Sequence, residues 1–143
     1  MAIIIEKNPN GDTRTAPNNV SFEEFQAAND MHRKDVYNVM RYLACLIHRT
    51  GQKHDFTKKT HERLFYEDFI SAMNNKSDFI NGEWYKIHVN TENHHLLSRC
   101  PEDVNLIDVI EMIADCTCAG LSRSGEVRGL EINSEILEKA VQN

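Results

Sequence analysis

The sequence predicts a mainly α-helical α+β fold, on three observations. Apolar residues recur at helical spacing through two long stretches, one before residue 50 and one after residue 103. An Asn-Gly pair sits between two short β-prone runs near the N-terminus, and Val127 to Ile132 alternates as a strand does. The 143 residues, 41% apolar and 27% charged, suit one domain covering 1–143, with a hairpin over 1–17, a helical core over 20–121 and a terminal loop, strand and helix over 122–143.

Each element has a local reason. Ile3-Ile4-Ile5 and Thr13-Arg14-Thr15 flank Asn10-Gly11, whose central residues accept the positive φ that a tight hairpin demands. Ser21 and Glu24 form a capping box that opens the first helix, on which Phe25, Val36, Val39, Met40, Leu43 and Ile47 make one apolar stripe. Gly51 is its expected stop. Thr57 or Thr60 starts a second helix that buries Phe65, Phe69, Ala72 and Met73, and Asn74 to Gly82 is a polar connection. Trp84 to Leu97 is helical in part. Pro101-Glu102-Asp103 suits a first helical turn, and the helix from Val104 to Leu121, apolar over most of its circumference, should be central. Gly120 should end it, and Ser134 should cap a final short helix.

Composition also limits function. Net charge is −6, whereas proteins that grip long nucleic acids or anionic membranes need a basic balance. No apolar run approaches the roughly 20 residues that span a bilayer. Ala2-Ile3-Ile4-Ile5 is too short for a signal-peptide core and lacks a basic flank, so a cytoplasmic protein is expected. The four cysteines match neither a disulfide framework nor a zinc hairpin, and no Gly-rich phosphate loop or nucleophile elbow is present.

Histidine is the compositional oddity, with seven in the chain. His32, taken singly, reads as a packed histidine on the apolar stripe. With His54-Asp55 and with Asp115 among apolar neighbours, it supplies imidazole nitrogens and carboxylate oxygens suited to a divalent metal, because a buried unpaired carboxylate is costly. Trp84-x-x-x-His88 and His94-His95 add imidazoles; Asp108 and Glu111 read as a solvated stripe.

The ordered set of His32, His54-Asp55 and Asp115, with Trp84, His88 and His94-His95 between them, resembles the HD-type phosphohydrolase superfamily over about residues 30 to 120. The resemblance implies an HD-like helical core. It also implies one or two metals held by the His and Asp residues, with attack of an activated water on a phosphate ester.

A second resemblance covers nearly the whole chain. It rests on Gly11-Asp12-Thr13-Arg14-Thr15-Ala16, His54-Asp55-Phe56-Thr57-Lys58-Lys59, His94-His95-Leu96, the run from Pro101 to Asp115, and Ala119-Gly120-Leu121-Ser122-Arg123-Ser124-Gly125-Glu126-Val127. Together these resemble the small phage anti-Thoeris proteins. That resemblance implies a non-enzymatic sponge, without cofactor, that sequesters glycocyclic ADP-ribose uncleaved as a homodimer or larger homo-oligomer, with cyclic oligonucleotides at a separate site in some assemblies. Capture of a diphosphate calls for forked Arg donors, for which Arg99, Arg123 and Arg128 are candidates; each would otherwise be a solvated surface residue. Phe79 and Trp84 are candidates to stack on adenine, and Asn90 or Asn93 to read its edge. The expected function is therefore capture, with an HD-type hydrolase using His32, His54, Asp55, Asp115 and a divalent metal as the alternative.

Overall fold

The computed structural model describes residues 6, 8, 14, 18–74, 78–127 and 129–143, and these contain helices and connections but no strand. The α+β expectation is corrected to an all-helical fold among the described residues. The described residues between Val127 and Ile132 are not in a strand. Alternation assigns side chains to faces, but a strand also needs a partner ladder, and the described residues offer none. The segment still uses its apolar side chains, since Ile132 packs on the core. The N-terminal hairpin falls almost wholly on residues outside the described ones; Glu6, Asn8 and Arg14 are described, and none is in a strand.

The chain divides into two compact units, residues 1–48 and 49–143. Helix α1 (Phe22–Lys53) supplies most of the first, and its last turns belong to the second. Its capping box forms as expected: the Glu24 amide donates to Ser21 Oγ at 3.2 Å and the Ser21 amide to Glu24 Oε2 at 2.8 Å. The stripe does not form a core, however. Phe25, Val36, Val39, Met40, Leu43 and Ile47 are each at least 36% exposed, and no α1 residue is buried. Gly51 does not stop the helix, because one interior glycine costs only about 1 kcal/mol.

The second unit holds α2 (Phe56–Thr60), α3 (Glu62–Met73), a 3-10 turn (Phe79–Asn81), α4 (Glu83–Thr91), α5 (Leu106–Ser124) and α6 (Ser134–Gln142). Its core is Leu96, Val104, Val109, Met112 and Ala140, with Cys116, Ile132 and Ile136 packed against it. Helix α5 begins at Leu106 rather than at Pro101. Asn105 and Asp108 form a capping box: the Ile107 amide donates to Asn105 Oδ1 at 2.9 Å and the Asn105 amide to Asp108 Oδ2 at 2.9 Å. It passes through Gly120 and ends at Gly125, whose φ of 73° is the left-handed cap that glycine adopts freely. Asn133, not Ser134, caps α6.

Two junctions set up the site. Asp68 of α3 accepts the Trp84 amide at 2.8 Å and so anchors the start of α4, and a side chain at Gly82 would run into that carboxylate. At the other junction, α1 gives way to α2 through His54 and Asp55, with Asp55 at φ 54°, ψ 33°. It is the one non-glycine residue at positive φ among those described.

Candidate functional site

The turn at His54-Asp55, the segment after α4 and one face of α5 converge inside the second unit. Asp55 is the hub. Its Oδ1 lies 3.4 Å from His88 Nε2 and 3.5 Å from His94 Nε2, and its Oδ2 lies 3.4 Å from His54 Nε2. Lys58, one turn along α2, also contacts Oδ2. Helix α5 supplies Glu111, 2.9 Å from His54 Nδ1 and 3.3 Å from His94 Nδ1, and Asp115, 3.5 Å from His54 Nε2. His95 Nε2 closes on His88 Nε2 at 2.7 Å. Two nitrogens at that distance need a proton or a cation between them, because two bare lone pairs would repel.

Several buried atoms here have no hydrogen bond: Asp55 Oδ1 and both ring nitrogens of His94. His94 lies within ion-pair reach of two carboxylates yet makes a good hydrogen bond to neither. Buried polar atoms are nearly always satisfied, so these orphans mark a place for something more. Two donor sets fit a metal ion: His54, Asp55 and His94, and Asp55, His88 and His95, each with its ligand atoms within 4.8 Å of one another. Asp55 belongs to both. Its left-handed backbone costs on the order of 1 kcal/mol for an L-residue.

The charges of the cluster hold one another in place. Burial opposes charge on His94, but the Asp55 and Glu111 carboxylates outweigh it and raise its pKa to about 9. Burial, reinforced by neighbouring His95, lowers His88 to about 4. His95 is likewise lowered by burial and by the charge on His94. Burial works against ionisation of Asp55 and Glu111, yet the surrounding cations hold both carboxyls below their ordinary range.

Part of the cluster lines a cleft of about 600 Å³: Asp55, Lys58, His88, His95 and Asp115 contribute to it together with the aromatic rings of Phe65, Phe69, Phe79, Trp84 and Tyr85. Cys116, Ala119, Gly120, Arg123 and Ser124 of α5 line it as well. The volume lies within the range of small-molecule sites.

The structure thus brings together His54, Asp55, His88, His94, His95, Asp115, Phe79, Trp84 and Arg123 of the residues singled out from sequence. Trp84 is only 2% exposed and already stacks on Phe65 (4.1 Å between centroids) and His88 (4.5 Å), so Phe79 and Tyr85 offer the freer aromatic surface. Arg99 is engaged elsewhere, donating from Nε to the Val89 carbonyl at 2.6 Å and from Nη2 to Asn93 Oδ1 at 3.1 Å. Asn90 is exposed on α4, and His32 is exposed on α1 in the first unit. Arg128 lies outside the described residues. Sequence reading missed Glu111, assigned to a solvated stripe, Thr57, read as a helix start, and Glu92, which carries no motif.

Fold and site define a helical chain with a histidine-carboxylate cluster in an aromatic cleft. Comparison with protein-family models, with curated proteins and with solved structures finds no match.

Proposed function

We propose that the chain is a metal-dependent phosphohydrolase of a small nucleotide or related phosphate ester. One observation carries the reading: Asp55, whose buried Oδ1 has no hydrogen bond, belongs to two sets of imidazole and carboxylate donors and lines a ligand-sized cleft. His54, Asp55 and His94 would hold one ion, and His88, His95 and Asp55 the other. A divalent metal there would supply Lewis-acid polarisation of the phosphate and an activated water. The chain's own residues do the rest. Arg123 and Lys58 neutralise phosphate charge, and Phe79 and Tyr85 give the base a planar surface. Glu111 orients His54 by accepting from its Nδ1, as outer carboxylates orient ligating imidazoles. No helix among the described residues is long and apolar enough to cross a membrane, and we place the reaction in the cytoplasm.

A second reading has its own support. Phe79, Trp84 and Arg123, the residues expected for capture of a cyclic ADP-ribose, line the same cleft. Without metal, that cleft holds a diphosphate against Arg123 and offers no activated water. One experiment separates the two readings. The protein is mixed with Mn²⁺ and either cyclic ADP-ribose or a panel of nucleoside phosphates, then heat-denatured, and the supernatant is chromatographed. Hydrolysed product supports the enzyme; nucleotide retained until denaturation and then recovered intact supports sequestration and overturns it. In either case Arg123→Ala should weaken binding by about 10- to 100-fold, the worth of one charge-assisted hydrogen bond. For the enzyme the loss should appear in KM more than in kcat.

A further inference from the structure

The His88 ring is held by Thr57, which is itself held by Glu92, and neither of the two lines the cleft. Thr57 is fully buried, and its Oγ1 lies 2.6 Å from His88 Nδ1 and 2.8 Å from Glu92 Oε1. The same Glu92 oxygen accepts the Thr57 amide at 3.0 Å, which marks it as an acceptor. A hydroxyl has one hydrogen to give. Glu92 takes it, so toward His88 the Thr57 oxygen can only accept, and the proton in that contact must sit on His88 Nδ1.

From this geometry we infer that Thr57 and Glu92 are positioning residues that lock His88 in its Nδ1–H tautomer, turning the Nε2 lone pair toward Asp55 and His95. His95 then takes the opposite form in the metal-free chain, since its Nε2 faces that lone pair at 2.7 Å and must donate to it. The consequence for cation affinity rests on the metal-dependent reading above; the tautomers themselves are properties of the chain without metal. Carboxylates that fix a ligating imidazole through an intermediate group set both its ring orientation and the identity of its free nitrogen. Here the intermediate is a threonine hydroxyl, and its backbone amide is held by the same carboxylate.

The test reads the tautomers directly. Full-length ¹⁵N-labelled protein, freed of metal by chelator, is examined at pH 7.5 by long-range ¹H–¹⁵N correlation of the imidazole rings. Zn²⁺ affinity is then measured by competition with a chromophoric chelator. The expected spectrum shows His88 protonated at Nδ1 and His95 at Nε2. Thr57→Val, which keeps the side-chain shape and removes the hydroxyl, should populate the Nε2–H form of His88 and weaken Zn²⁺ binding by about 10- to 100-fold. Thr57→Ser should restore both. Wild-type His88 protonated at Nε2 overturns the inference, and that spectrum decides the point even if Thr57→Val fails to fold. A folded Thr57→Val protein with unchanged tautomer and unchanged Zn²⁺ affinity overturns it too. Wild-type protein that shows the expected tautomers but takes up no Zn²⁺ supports the relay and overturns the metal-dependent reading alone.

Discussion

Asp55→Asn should abolish stoichiometric metal uptake and, with it, phosphate-ester hydrolysis. Asp55 contributes to both donor sets, so its carboxylate cannot be replaced by a neighbour. An amide oxygen keeps the shape but loses the charge that a divalent cation needs. The loss should exceed about 100-fold in affinity, the upper end of what losing an outer-shell partner costs. The substitution is also unusually clean. Asn is among the residues most at home at positive φ, so the strained turn at φ 54° should survive the change. The measurement is elemental analysis of gel-filtered protein, paired with phosphate release and with a thermal melt to show that the fold persists. Metal retained at the wild-type ratio would remove Asp55 from the hub and the proposed centre with it.

The chelator-treated protein should be most stable near pH 6.5 and weaken in both directions. His94 sets the alkaline side. Its pKa is about 9 in the fold and about 6.5 in an unfolded chain, so below pH 6.5 both states hold the proton and its full contribution is present. As pH climbs toward 9 the unfolded state has lost the proton and the folded state has not, and stability falls until the folded form titrates as well. His88 sets the acid side with the opposite sign. It stays neutral in the fold down to about pH 4, while the unfolded chain takes up a proton near 6.5, so acidification favours unfolding through that window. Asp55 and Glu111, held below their ordinary range, add to the acid loss as pH falls through the unfolded carboxylate range and on to their own. Thermal melts from pH 4 to 9.5 should trace this peak, with Tm falling by several degrees on each flank. A profile flat from pH 6.5 to 9 would mean that His94 is not the imidazolium wedged between two carboxylates. With saturating metal the alkaline flank should flatten, because a ligating imidazole has already given up its proton.

Much of this site was legible in the chain and much of the fold was not, for separable reasons. His54-Asp55 and Asp115 stood out because an acid and imidazoles among apolar neighbours must be compensated once buried. Their partners His88, His94 and His95 were legible as imidazoles in the same ordered set, but not which carboxylate each one meets. Glu111 was misread because helical spacing places it beside Asp108 and Asp115 without saying whether that face meets water or a histidine. Thr57 looked like a helix start, and its role depends on Glu92, 35 residues away. The strand expected at 127–132 failed because alternation is a pattern of one segment, whereas pairing is a relation between two. The apolar stripe of α1 was real in sequence, yet its spacing carries no information on what would cover it.

Trp84 is the only tryptophan in the chain, and its indole lies 15° from parallel with the His88 imidazole at 4.5 Å. Its ultraviolet emission is therefore a gauge wired to one ring of the cluster. Paramagnetic ions seated there would quench that light, diamagnetic ones would leave most of it, and the occupancy of the cleft becomes something a cuvette can follow in real time without any label.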